Sequence, residues 1–507
     1  MTSRATGPRP VRPTELVAVP LCLALALPAA VHAADDSNAK GYRIFGQLTS
    51  ELERNLADDE DDPGDADYTK VKQLASVNLE WSRFTLGAQF EYLYWSVPFE
   101  LRDPGDLDRL REGLEVRKYY LDYQSRRFSG RLGTFYSSFG RGLTLYVQKN
   151  DVLRFDEPIH GATASLTLKH VDITVVGGRV TEPLLQNQHG SEFEDEVVGG
   201  RVLGRLPFNL YLGGSVVRAE LARFLPEGTD EIEVWSVEAG GTSLGGIFDL
   251  DAEFSELERE GYRGTEEGHG RYLSAAAYVG PVSILGEYKD YYNFQYRYNL
   301  PPNAGKADER YDHDDVKGPR LLVSADIFKT SSLVHASYAR FDTHKTPTSP
   351  GGTGGDGQIE WYVGLEQTVG PVYFQTTYFD RDLVDREIDE RHGVFDFHLG
   401  IGRQSEIILG WDERLEQSDY FKLGTTRTVA AYSLSPWGTV SLRYAWEDRS
   451  GFDREDFWGV EVQALPTRTL TITVFVGGDP GGLVCAGGQC RIEPRFEGAK
   501  GNLTWRF

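Results

Sequence analysis

The sequence is poor in basic residues and has no long apolar run outside its N-terminal region. It contains 53 Lys and Arg against 77 Asp and Glu, for a formal net charge of −24. Nucleic acid is therefore not an expected partner, because phosphate binding requires clustered basic charge. After residue 33, no window offers the roughly 18 consecutive apolar residues that a transmembrane helix needs. Membrane residence would have to come from strands.

The N-terminal region has the layout of a secretory signal peptide. Basic residues precede an apolar run, Leu16–Ala30, and small residues follow it up to Ala33. We expect residues 1–33 to be the signal peptide. Nothing in residues 34–507 looks like a linker between independently folded units, so this part is predicted to be one domain.

Cysteine is scarce, with three in the whole chain. Cys22 falls within the predicted signal peptide, whereas Cys485 and Cys490 lie in one Gly-rich stretch. Because export passes through an oxidising compartment, we expect these two to form a local disulfide that staples a loop. The chain has no Cys-x-x-Cys-His motif and is expected to carry neither a covalent haem nor another cofactor.

The mature chain is rich in aromatics and in period-two alternation. It has 26 Tyr, 26 Phe and 9 Trp. Phe84–Ser96 and Val440–Glu447 are two of many segments in which apolar and polar residues alternate. Lys118, Tyr120 and Asp122 form the polar side of another such segment, and we expect them to face a lumen. Alternating segments of about ten residues indicate membrane-spanning β-strands.

The connections between these segments fall into two kinds. Eleven abrupt turns, from Ser82-Arg83 to Pro466-Thr467, are predicted to alternate strictly with longer, charged or Gly-rich connections. This asymmetry is typical of outer-membrane barrels with tight periplasmic turns. The predicted fold is all-β, a transmembrane antiparallel up-and-down β-barrel of about 24 strands, within a range of roughly 20 to 26. A propeller would show related units of about 40 residues, and no such repeat is visible.

The last strand ends on alternating apolar residues, Leu503, Trp505 and Phe507. This ending resembles the C-terminal signal by which bacterial outer-membrane barrels are recognised for insertion. We expect the strand to close the barrel on a first strand near Tyr42–Leu56. Closure is required because every backbone polar group must be paired in lipid.

The segment Phe139–Gly161 is the least barrel-like part of the chain and could fold into the lumen. It mixes glycines and apolar residues with charged side chains. Such charges can set the selectivity of a pore constriction, and the alternative is an ordered extracellular loop held by ion pairs. The constriction candidates are Arg141, Lys149, Asp151, Arg154, Asp156 and Glu157.

The remaining residue clusters give weaker indications of a functional site. The aromatic residues from Tyr291 to Tyr298 are expected to extend a strand and join an interfacial girdle. Asp312-His313-Asp314-Asp315 could hold a metal, but such strings are frequent in exposed loops, and no metal site is expected. The histidines are scattered without a matching Ser or acid motif, so the chain is predicted not to be an enzyme.

Taken together, these features make the mature chain resemble a Gram-negative outer-membrane β-barrel of the porin-like kind. Arg141-Gly142-Leu143 is similar to a segment in a family of uncharacterised large barrels. The resemblance implies residence in the bacterial outer membrane, contact with its lipids and assembly by the barrel-assembly machinery. We expect the chain to lack the plug domain of siderophore receptors, and this expectation disfavours that family.

Two functions are compatible with this sequence. The first is an outer-membrane channel for the passive passage of small polar solutes. The alternative is a structural barrel scaffold that encloses a partner protein in its lumen or anchors a surface complex. A wide barrel could serve either role.

Overall fold

A computed structural model describes most of the chain after residue 40. The described residues are 41–56, 67–97, 102, 111–150, 156–182, 193–223, 228–261, 264–302, 315–327, 331–344, 357–383, 388–418, 420–452, 454–486 and 489–507. The predicted signal peptide, residues 1–33, lies outside them. Within these ranges, no helix is long and apolar enough to cross a membrane.

Strands make up almost all of the regular structure. The first are β1 (Tyr42–Asn55), β2 (Tyr68–Trp81), β3 (Phe84–Trp95), β4 (Gly113–Gln124), β5 (Phe128–Phe135), β6 (Ser137–Phe139), β7 (Leu145–Val147), β8 (Ile159–Thr167), β9 (Val171–Glu182), β10 (Phe193–Arg205), β11 (Leu210–Arg223), β12 (Gly228–Ser243), β13 (Phe248–Gly261) and β14 (Gly264–Val279). They continue with β15 (Val282–Tyr292), β16 (Asp315–Ile327), β17 (Ser332–Phe341), β18 (Gln358–Val369), β19 (Val372–Leu383), β20 (Ile388–Ile401), β21 (Ser405–Gln417), β22 (Lys422–Leu434), β23 (Gly438–Arg449), β24 (Glu455–Thr467), β25 (Leu470–Asp479), β26 (Gly482–Ala486), β27 (Gln489–Glu493) and β28 (Phe496–Arg506). Single turns of 3-10 helix occupy Pro207–Asn209 and Leu244–Gly246.

Twenty-four of the strands form one sheet in which neighbours along the chain pair antiparallel. β6 and β7 form a separate hairpin, as do β26 and β27. β28 pairs with β1, and the backbones of Gly46 and Phe507 exchange two hydrogen bonds of 2.9 and 3.1 Å. The predicted up-and-down barrel of about 24 strands, closed by the last strand on the first, is confirmed.

Alternation along the strands separates an apolar outer face from a polar lumen. In β4, Tyr119 and Leu121 are exposed apolar residues, which suits contact with lipid. The intervening polar residues of β4 face the other way, as predicted for Lys118, Tyr120 and Asp122. Tyr120 donates a hydrogen bond of 2.7 Å to Asn78 of β2 across the intervening strand. Polar contacts of this kind line the lumen wall.

The two ends of the barrel differ in their connections. Nine of the eleven predicted turns fall between consecutive strands at one end, called here the short-turn end. The turn expected near Pro466-Thr467 lies slightly later, at Arg468 and Thr469, and Lys329-Thr330 lies outside the described residues. At the opposite, long-loop end the predicted strict alternation is wrong. Gly261 of β13 pairs directly with Gly264 of β14, so only two residues separate these strands at the long-loop end.

Lumen-facing side chains are buried toward the long-loop end and more accessible toward the short-turn end. β19 shows the gradient along one strand. Its buried lumen-facing residues, nearer the long loops, are Phe379, Arg381 and Leu383. Its partly exposed lumen-facing residues, nearer the short turns, are Tyr373, Gln375 and Thr377.

The backbone of the β26–β27 hairpin places Cys485 directly opposite Cys490. Directly opposed residues of antiparallel strands lie close together, with Cβ atoms about 4.5–5.5 Å apart. The two side chains lie outside the described part of the structure. The disulfide between them stays a prediction.

Candidate functional site

The candidate site is built from two segments that leave the barrel wall and lie in the lumen. The first, called the insert hairpin, is Tyr136–Val147 and contains β6 and β7. It interrupts a strand pair, since Phe135 of β5 is directly opposite Ile159 of β8. The second, called the insert arm, is Asn293–Leu300 and follows β15.

Both segments pack against the wall in the largest apolar cluster of the described residues. Phe139, Leu143, Leu145, Phe294 and Tyr298 are all at most 3% exposed. The wall strands contribute Phe135, Ile159, Val176, Val180, Val197, Val217, Ala219, Ile232, Val234, Leu257 and Tyr272. The adjacent residues on these strands point the other way and are exposed, for example Val198 and Val216. The cluster therefore lies on the lumen side of the wall.

Backbone and amide hydrogen bonds join the hairpin to the arm. The Tyr146 N–H donates to the Tyr298 carbonyl at 2.6 Å, and the Leu300 N–H donates to the Gly142 carbonyl at 3.0 Å. Asn299 Nδ2 donates to the Leu143 carbonyl at 3.2 Å. The two segments form one unit, although they are about 150 residues apart in the sequence.

Two glycines allow the hairpin to approach its neighbours this closely. Gly142 has φ +88°, and a Cβ there would lie 2.5 Å from the Leu300 carbonyl oxygen. Gly140 has φ +55°, and a Cβ there would collide with the Glu253 carboxylate. Glycine is the residue that takes such left-handed conformations without steric penalty. The Gly-Arg-Gly sequence is thus required by the geometry around Arg141.

Asp195 of β10 fixes the insert arm to the wall. This carboxylate is fully buried and accepts hydrogen bonds from Tyr298 Oη at 2.6 Å and from the Ala222 N–H at 2.8 Å. It also pairs with Arg297. Burial, reinforced by the Asp195 carboxylate, raises the pKa of Tyr298. The phenol therefore stays protonated and remains a hydrogen-bond donor.

Removal of the Asp195 carboxylate should loosen the arm while the barrel stays closed. Asp195→Ala leaves the buried Tyr298 hydroxyl without this acceptor, at a cost of about 1–3 kcal/mol. We expect faster hydrogen–deuterium exchange in peptides covering 293–300, measured by mass spectrometry. Asp172→Ala, which breaks the Asp172–Arg205 pair near the short-turn end, is the control and should leave this exchange unchanged. Equal exchange in both variants would contradict the anchoring role.

Arg141 occupies the tip of the hairpin and contacts acids on β13. Its backbone N–H donates to Glu253 Oε2 at 2.7 Å, and its guanidinium pairs with Asp251. The guanidinium also lies 5.8 Å from the centroid of the Tyr272 ring. With its side chain 46% exposed, Arg141 is a cation held in place yet accessible from the lumen.

A second charged group joins the hairpin to β4. Lys118 Nζ lies 2.5 Å from Asp156 Oδ2, and the Tyr136 hydroxyl donates to the other oxygen of Asp156. Burial acts to raise the pKa of Asp156, but these hydrogen bonds outweigh it and hold that pKa below its usual range. Asp156 is therefore ionised at neutral pH. Lys149 is exposed and close enough to act electrostatically on Lys118.

The predicted constriction residues are only partly brought together. Arg141 and Asp156 each take part in an ion pair with the wall, at β13 and at β4. Glu157 is partly buried just before β8. Asp151 and Arg154 lie outside the described residues. The segment also ends earlier than expected, because Ile159–Gly161 belong to the wall strand β8.

The role expected for the aromatics after β15 is wrong. Tyr291 and Tyr292 end the strand, and Asn293 then takes φ +49°, which turns the chain out of the sheet. Phe294, Tyr296 and Tyr298 are buried in the lumen cluster and do not form an interfacial girdle. A sequence signal existed in Asn293 and in Pro301-Pro302, which are unfavourable in a continuing strand.

Comparison with solved structures shows that this chain is similar in fold to large outer-membrane proteins. The E. coli P pilus tip assembly intermediate PapC-PapD-PapK-PapG is 10% identical, with a TM-score of 0.52 over 92% of this chain and 60% of that chain. The Acinetobacter baumannii siderophore receptor PirA is 8% identical, with a TM-score of 0.50 over 92% of this chain and 80% of that chain. At such identities the similarity concerns the fold. The predicted bacterial outer-membrane barrel is confirmed at that level.

Comparison with curated protein sequences gives no match. One family model, described as a family of unknown function (DUF6029), matches residues 16–305. The match includes the insert hairpin, the insert arm and every wall strand that they contact. Because it extends over more than half of the chain, the protein belongs to the family of unknown function DUF6029.

Proposed function

We propose that the protein is an outer-membrane channel for small polar solutes, with its narrow part formed by the insert hairpin and the insert arm. The observation that carries the proposal is the position of Arg141, a cation held inside the lumen and accessible from it. Fixed charges at a narrow point determine which ions and solutes pass. In this proposal the barrel has no enzymatic role, and its partners are outer-membrane lipids and the barrel-assembly machinery.

The lumen wall carries paired charges of both signs. Arg320 of β16 lies 3.3 Å from Glu287 of β15, and on β21 Arg414 lies 2.8 Å from Glu390 of β20. These four side chains are at most 15% exposed and paired, so the wall adds little net charge to the lumen. The insert contributes an accessible positive charge, because the Arg141 side chain is more exposed than its partner Asp251.

Ion selectivity of the reconstituted barrel tests this role of Arg141. Arg141→Glu reverses the accessible charge and should shift the permeability ratio several-fold toward cations in planar bilayers. Arg141→Gln should give a smaller shift in the same direction, and it keeps the backbone bond to Glu253.

Arg454→Glu is the matched control. Arg454 lies in an exposed connection at the long-loop end, where it pairs with Asp456 of β24 and Tyr444 of β23. Its selectivity should equal that of the wild type. The same shift in permeability ratio in all three variants, or no shift in any of them, would show that Arg141 does not line the conducting path. A wild-type barrel that inserts without conducting and copurifies with a stoichiometric protein would instead favour the scaffold function.

A further inference from the structure

We propose that His269, Asp290 and His344 bind a divalent transition-metal ion, for which Zn²⁺ is the test ion. The three residues come from β14, β15 and the connection that follows β17. Their ligand atoms all lie within 4.8 Å of one another. This group is called the rim site.

The rim site is on the outer face of the barrel, toward the long-loop end. His269 is directly opposite Tyr292, and Arg271 is directly opposite Asp290. Leu273, which follows on the same face of β14, is 52% exposed, as expected for an outward residue. The site is separate from the lumen, so it does not rest on the proposed channel.

The distances fit a metal with nitrogen and oxygen ligands. Asp290 Oδ1 is 3.2 Å from His269 Nε2 and 2.9 Å from His344 Nε2. Ligand atoms bound tetrahedrally at 2.0–2.1 Å from Zn²⁺ are about 3.3 Å apart. Small side-chain rotations would therefore admit the ion. Two imidazoles and one carboxylate also leave a position for water or a further ligand.

A buried carboxylate orients one of the imidazoles. His344 Nδ1 is 2.9 Å from Oδ1 of Asp315, which is 2% exposed. A carboxylate behind a ligating histidine commonly fixes its tautomer, with the other nitrogen free of hydrogen and directed at the metal. In that tautomer His344 Nε2 presents a lone pair to the Asp290 carboxylate. Two acceptor atoms this close can hold a metal cation between them.

The neighbouring residues add acidic groups to the surroundings of the rim site. Arg271 Nη1 lies 3.4 Å from Asp290 Oδ2, which leaves Oδ1 to face both histidines. A cavity of about 460 Å³ adjoins His269. Its acidic lining residues are Glu233, Glu256, Glu258 and Glu267. An acidic cleft concentrates cations, although Lys317, opposite Asp290, opposes this effect.

The donor set also restricts which metal fits. Imidazole suits Zn²⁺, Cu²⁺ and Ni²⁺, whereas Ca²⁺ and Mg²⁺ prefer oxygen ligands throughout. A bound ion would tie the connection after β17 to β14 and β15. Other histidines in the described strands lack this arrangement. His398, for example, lies 3.1 Å from Glu406 and contacts the Tyr373 ring.

Zn²⁺ titration of the full-length barrel in detergent micelles, followed by calorimetry, tests the rim site. We expect one site in the wild type, and His269→Ala and His344→Ala should each raise its Kd at least about tenfold. Asp315→Asn keeps all three ligands and should weaken binding by about tenfold to a hundredfold. The matched control His398→Ala should bind as the wild type does, and heat-modifiable electrophoretic mobility checks that each variant is folded.

The Co²⁺ spectrum gives an independent readout. Replacement of Zn²⁺ by Co²⁺ should produce visible absorption bands of a low-coordinate nitrogen and oxygen site in the wild type, and these bands should be lost in His344→Ala. Unchanged Zn²⁺ binding in the double variant His269→Ala/His344→Ala would overturn the proposal. Binding in the wild type no tighter than in that double variant would overturn it as well.

Discussion

Replacement of residues 136–158 by a tight turn is expected to raise the single-channel conductance several-fold. The design follows the register, since Phe135 and Ile159 are already opposed and a short hairpin can join them. Removal of the insert hairpin also releases the insert arm from its contacts with Gly142, Leu143 and Tyr146. The lumen then loses most of the apolar unit that fills it. Conductance in planar bilayers measures the result.

A second replacement controls for the introduction of a tight turn at the long-loop end. Residues 450–454 connect β23 and β24 at the long-loop end, and the described side chains among them are exposed. Their replacement by a tight turn should leave the conductance at the wild-type value. If loss of the insert hairpin leaves a folded barrel with unchanged conductance, the insert does not form the narrow part of a channel.

Gly46→Val is expected to abolish most barrel assembly. Gly46 lies where β28 meets β1, and a Cβ there would collide with the Ser76 carbonyl and lie 2.7 Å from the Phe507 ring. The added side chain would push β1 away from both of its neighbours and break the hydrogen bonds between Gly46 and Phe507. Unpaired edges are not tolerated in lipid. The folded fraction in outer-membrane preparations, read from heat-modifiable mobility, should fall severely.

Ser50→Val is the control for Gly46→Val. Ser50 is on the same strand and face and pairs with Leu503 in the same seam. A β-branched residue there suits a strand, so normal assembly is expected. Normal assembly of Gly46→Val would show that the contact with Phe507 does not limit closure.

The barrel wall could be predicted from the sequence because every strand meets the same two environments, lipid on one face and the lumen on the other. Outward residues such as Leu86 and Leu442 must suit lipid, and their neighbours must suit water, so a period of two appears throughout. The turns were recognisable for a related reason, because Gly and Pro mark the sharp reversals at the short-turn end. Pairing of Leu503, Trp505 and Phe507 with the first strand then followed from the need for closure.

The sequence indicated only one of the two segments of the insert. Glycines and mixed charges marked Phe139–Gly161 as unusual, but nothing local showed that its partner would be the insert arm. Phe294, Tyr296 and Tyr298 keep the spacing of a strand, and they are buried because the chain turns at Asn293.

The rim site has no linear motif at all. His269 and His344 are separated by 75 positions, and strand register and a returning connection bring them to the same carboxylate, that of Asp290. Asp315 was part of a string considered for metal binding. Its observed contact is with His344, and the other members of that string, residues 312–314, lie outside the described residues.

The lumen cluster has a consequence for the order of folding. All its members lie between Phe135 and Tyr298, within the part of the chain that the family model matches. The closing seam instead joins residues as far apart as Asn55 and Glu497, a separation of 442 positions. Contacts nearer in sequence form at a lower entropic cost and usually earlier. The insert is therefore expected to join its wall before the seam between β28 and β1 closes, and the seam is expected to form last.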